Sequence, residues 1–167
     1  MLWLVPVLLS TVLTVSPGTD PLLSSPERRV RSTDKRLAQL LQIGLQRSPT
    51  FAEMVQSLNR TDVIVYIERS NDLPRTLAGR LLLLPMTGQY RYLRIQVRGD
   101  LPTRELIALI GHELRHALEI AEEPGVRDAS TMLTFYQRIG HPTSGVLHTY
   151  DTDAAQTVGD RVRLELS

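Results

Sequence analysis

Apolar positions along the chain follow two periods. From Asp34 to Arg47, Leu37, Leu40, Leu41 and Leu45 recur at helical spacing. Ser48-Pro49 breaks and restarts the chain, and Phe51, Met54, Val55 and Leu58 predict a short helix ending near Asn59. The period then drops to two. Val63, Val65 and Ile67 alternate with Ile64, Tyr66 and Glu68, which predicts a strand. Asn71-Asp72-Leu73-Pro74 signals a turn. Residues 77–84 (LAGRLLLL) read as a strand from their length and their Gly. Residues 89–98 (QYRYLRIQVR) alternate as a half-exposed strand suited to a sheet edge. A long helix follows, with Thr103 as N-cap and Glu105 near its positive end, and Pro124-Gly125 stops it. A further helix over 127–139, a loop over 140–145 and a last helix over 151–166 complete an α+β domain.

The N-terminal fifth adds a different signal. Residues 2–15 (LWLVPVLLSTVLTV) are almost continuously apolar and are followed by Ser16-Pro17-Gly18. The run is short for a membrane span, which needs roughly 20 residues. Residues 1–18 are therefore expected to be a secretory signal peptide and the protein exported, periplasmic or secreted, without stable membrane insertion once the signal is gone. Residues 19–33, rich in Pro, Ser and Arg, read as a linker, leaving 34–167 as one folded domain.

Composition narrows the chemistry. The 167 residues suit one domain, expected to be a monomer, and the net charge of +1 gives no reason to expect nucleic acid as a partner. The chain has no cysteine, so thiol nucleophiles, iron–sulfur clusters and Cys-type zinc sites are excluded.

The long helix carries the sequence His112-Glu113-Leu114-Arg115-His116. Residues four apart on a helix stand one above the other, so both imidazoles can reach one ion. Glu113, turned about 100° away, flanks that ion and can act as a general base towards water. On a helical wheel, Leu106, Ile107, Ile110, Leu114, Ala117, Leu118 and Ala121 form an apolar face. Glu105, His112, Arg115, His116, Glu119 and Glu123 fall on the other side. Glu119 lies about 10.5 Å along the axis from His112, too far to share its ion, and instead can orient His116 or Arg115.

This HExxH segment, placed after strands and helices in this order, resembles the active-site helix of the zincin metallopeptidases. The resemblance implies a small zincin-like α+β fold, with a short, mainly antiparallel sheet packed on that helix. It also implies bound Zn2+, a peptide or protein substrate, and hydrolysis by a metal-activated water with Glu113 as base. In zincins the strand before the helix borders the cleft and pairs with extended substrate, a role that would fall to residues 89–98. The metzincin extension is absent, since Glu119 and Glu122 stand where its Gly and His would be. The stretch from His148 to Ala155 is similar to the gluzincin segment that supplies the third ligand, with Asp151 at the ligand position. Asp153, Asp128, Glu123 and His148 are the alternatives for that ligand, and Asp151 can equally be read as the N-cap of the last helix. Tyr150, His148 and His141 are candidates to steady an oxyanion. A zinc-binding or interaction protein without turnover is the competing reading.

Overall fold

The computed structural model describes residues 28–86, 88–144 and 149–167. The proposed signal peptide and most of the proposed linker lie outside them, as does His148. The described chain is α+β. Its first elements are strand β1 (Val30–Arg31), helices α1 (Lys35–Arg47) and α2 (Pro49–Leu58), and strands β2 (Val63–Arg69), β3 (Gly79–Leu83) and β4 (Arg91–Val97). Helices α3 (Thr103–Glu122) and α4 (Ala129–Ile139), a hairpin of β5 (His141–Ser144) and β6 (Thr149–Asp151), and helix α5 (Asp153–Glu165) follow. Among the described residues no helix is long and apolar enough to cross a membrane.

The main sheet is mixed, in the order β1-β2-β4-β3, which corrects the expectation of a mainly antiparallel one. β1 and β4 both run parallel to β2, and only β3 runs antiparallel to β4. Alternation marks a strand but not its partner. Here the two strands with the most apolar inner faces, Val63, Val65 and Ile67 on β2 and Leu93, Ile95 and Val97 on β4, pair at the centre of the sheet. The half-buried β3 is left at the edge. β4 is thus interior, and the edge assigned by sequence to 89–98 belongs to β3. Val30 and Arg31, assigned to the linker, are a strand because Val30 is buried against the sheet.

The inner face of the sheet packs on α3 through Leu106, Ile107, Ile110, Leu114 and Ala117, with α1 and α2 closing the core by Leu37, Leu41, Phe51 and Leu58. Thr103 is the first residue of α3 and not its cap; Pro102 holds that position without a side-chain bond. The last turn of α3 has no basic residue. Arg91 of β4 supplies one from outside. Its buried guanidinium donates to the carbonyls of Ile120 (2.7 Å), Glu123 (2.8 Å), Val126 (3.2 Å) and Ala121 (3.1 Å) and is braced by both oxygens of Asp62. Ile120 and Ala121 belong to the last turn of α3, where carbonyls lack the usual helical donors, so Arg91 ties the sheet to the helix carrying the histidines.

Candidate metal centre

The polar side of α3 does not face solvent. α5 packs along it, β3 stands against Glu113 at position 79, and Asp151 and Thr152 approach His116 and Glu119; Glu113, His116 and Glu119 are all buried. The close fit uses two glycines. A Cβ at residue 159 of α5 would stand 3.2 Å from the His112 Cβ. A Cβ at residue 79 of β3 would stand 2.7 Å from Glu113 Oε1, so the bare backbone there makes room for the carboxylate.

The hairpin delivers Asp151. The segment 140–145, expected as a loop, begins with β5, whose Pro142 pairs with Tyr150 across a register shift. α5 starts two residues later than the pattern suggested, at Asp153, with Thr152 as its N-cap. Asp151 is therefore not a cap. Its Oδ1 lies 3.4 Å from His112 Nε2 and 3.4 Å from His116 Nε2. The two rings meet edge to face, 4.8 Å between centroids. His112, His116 and Asp151 form a group that could hold a metal ion, with one ligand atom from each all within 4.8 Å of one another. The spacing fits such an ion: two atoms each about 2.1 Å from a tetrahedral centre stand about 3.4 Å apart.

The other ligand candidates go elsewhere. Asp128 caps α4 in a capping box, Glu123 pairs with Arg138, and the Asp153 side chain is 98% exposed. None joins the group.

Surrounding contacts orient the candidate ligands. His116 Nδ1 bonds Glu119 Oε2 at 2.9 Å, leaving Nε2 turned to Asp151. The Tyr136 hydroxyl donates to the His116 carbonyl, and its ring packs edge-on against the imidazole. Burial tends to lower the His116 value, but hydrogen bonds to Asp151 and Glu119 outweigh it and raise it to about 9. Burial, then the positive charge on His116, pushes His112 below its ordinary value. Asp151 is held well below the carboxylate range, because bonds from His116 and Gln156 outweigh its burial. Glu113 makes no ion pair with Arg or Lys among the described residues, and burial pushes its carboxyl up to about 7.

The group opens into a cavity of about 500 Å3, also lined by Leu81, Leu83, Leu109, Met132 and Tyr150. His141 is outside it, beside Gln156 and Asp153. A larger crevice of about 810 Å3 lies among Asp34, Arg69, Arg98 and Asp100, whose charges are already paired with one another. Along β3, the ladder bonds from Leu84 N to Tyr92 O and from Arg98 N to Ala78 O set the alternation. Gly79, Leu81 and Leu83 consequently turn their backbone amides and carbonyls towards the open edge.

Comparison with protein-family models, with curated proteins and with solved structures gives no match.

Proposed function

We propose that this chain is an exported zinc-dependent peptidase of the zincin type, with His112, His116 and Asp151 as ligands and Glu113 as general base. The observation that carries the reading is the pair of 3.4 Å separations from Asp151 Oδ1 to the two imidazole nitrogens, beside a buried carboxyl that is not itself a ligand. Two nitrogens and one carboxylate oxygen are the donor set of hydrolytic zinc sites, which keep a fourth position open. Zinc bound there would act as a Lewis acid, acidifying water and polarising a carbonyl.

The remaining steps belong to the chain's own residues. An extended peptide adds to the free edge of β3 through the amides and carbonyls of Gly79, Leu81 and Leu83. Glu113 takes a proton from the attacking water and returns it to the leaving amine, and a value near 7 suits both transfers. Tyr150 lines the cavity and carries the hydroxyl available to the developing oxyanion.

Glu113 also favours turnover over metal binding alone. Burying a carboxyl without a charged partner costs stability, and a binding module needs no base to set against that cost.

The test is hydrolysis of a quenched fluorescent peptide library by residues 19–167 with zinc added. Cleavage is expected, abolished by 1,10-phenanthroline and restored by excess zinc. Cleavage that survives the chelator, or a zinc-loaded protein inert on every peptide, would overturn the peptidase reading.

A further inference from the structure

Three hydrogen bonds and one 3.4 Å contact link His116, Glu119, Thr152 and Asp151 in a ring beside the candidate metal centre. His116 Nδ1 meets Glu119 Oε2 at 2.9 Å. Thr152 Oγ1 donates to Glu119 Oε1 at 2.7 Å. The Thr152 amide donates to Asp151 Oδ1 at 2.7 Å, and that same oxygen faces His116 Nε2 at 3.4 Å. His116, Glu119 and Thr152 are all buried, so water competes little for the two bonds to Glu119.

Thr152 occupies an unusual junction. Its hydroxyl donates to Glu119 and accepts from Ala155 N, capping α5. Its backbone carries Asp151 as its immediate neighbour. Gln156, one turn into α5, holds the second Asp151 oxygen at 3.0 Å. The ligand from the hairpin is thereby referenced to the histidine helix through one hydroxyl. Asp151 also meets α3 directly, through the 3.4 Å contacts to the imidazoles, while α5 packs on α3 where position 159 lies against His112.

We propose that Thr152, acting through Glu119, is a positioning residue that preassembles the third metal ligand against the two histidines. The inference rests on the metal-centre reading above. Thr152 contacts neither metal nor substrate. Its hydroxyl fixes where α5 starts relative to α3, and Glu119 passes that placement to the His116 ring. Losing such an outer partner lowers metal affinity by about 10- to 100-fold in comparable sites.

The test is zinc affinity by competition with a chromophoric chelator, together with the visible spectrum of the cobalt-substituted protein. Thr152→Val removes the hydroxyl at constant shape. Thr152→Ser keeps it. Glu119→Gln breaks the ring of contacts while leaving the α5 cap intact. Zinc affinity is expected to fall 10- to 100-fold in Thr152→Val and Glu119→Gln, with shifted cobalt bands in both, and to return to wild type in Thr152→Ser. Thermal melting of the metal-free proteins separates lost capping, which affects Thr152→Val alone, from lost positioning. Wild-type affinity and cobalt spectrum in Thr152→Val would overturn the inference while leaving the metal centre standing. A wild-type chain that binds no zinc would overturn both.

Discussion

Replacing Glu113 by Gln is expected to lower kcat by about 100- to 10,000-fold while the chain keeps its metal. The amide fills the same space behind Gly79 but cannot accept the proton. The loss should fall on kcat more than on KM, because the proton moves only on the way to the transition state. The substitution carries a second, independent signature in the metal-free protein. The Glu113 carboxyl sits at about 7 because it is buried, against about 4.3 in an unfolded chain. A carboxyl raised in this way favours the fold below its unfolded value and withdraws that support as pH rises towards 7. Metal-free wild type should therefore lose stability between pH 4.5 and pH 7 relative to Glu113→Gln, measured by urea unfolding at each pH. Full activity in the variant would remove Glu113 from the mechanism. Identical pH slopes would show that the carboxyl is not buried as described.

Arg91→Met is expected to cost about 2–5 kcal/mol of folding stability, since each buried carbonyl left without a donor costs about 1–3 kcal/mol. The guanidinium serves four carbonyls at and beyond the end of α3 as well as Asp62. Methionine fills much of the volume and serves none of them. Asp62 is 44% exposed and can rehydrate, so most of the loss comes from the helix end. The hydrogen bond and charge of Arg91 hold the Asp62 carboxyl below its ordinary value. That support is present above pH 4 and is withdrawn as the carboxyl protonates, so the variant should show a shallower acid slope. Urea denaturation checks both outcomes. A loss under 1 kcal/mol would mean that water satisfies the α3 terminus without Arg91.

Part of this was legible in the sequence because local spacing is a local constraint. His112 and His116 share a helix, and four residues put them together whatever surrounds them. The strands at Val63–Arg69 and Arg91–Val97 were visible for the same reason. Asp151 was reached through a family resemblance, since nothing local in residues 148–155 distinguishes a ligand from a cap. Only the hairpin shows that Thr152 is the cap. That hairpin escaped notice because Pro142 and the polar run of β5 carry no alternating apolar signal. The parallel β2–β4 pairing was invisible because alternation contains no information about partners. Arg91 is in phase with Leu93, Ile95 and Val97 on the inner face of β4, but alternation does not show what receives its charge, which is the end of a helix about thirty residues away.

The most direct test of the central claim is the metal content of purified residues 19–167, read by inductively coupled plasma mass spectrometry beside His112→Ala and Asp151→Ala. One zinc per wild-type chain, lost in both variants, is the expected result. Zinc lost with His112→Ala but retained at full affinity with Asp151→Ala would contradict the assigned third ligand. Iron in place of zinc would move the two-histidine, one-carboxylate site to a different chemistry. A wild-type chain that takes up no metal after reconstitution would contradict the account as a whole.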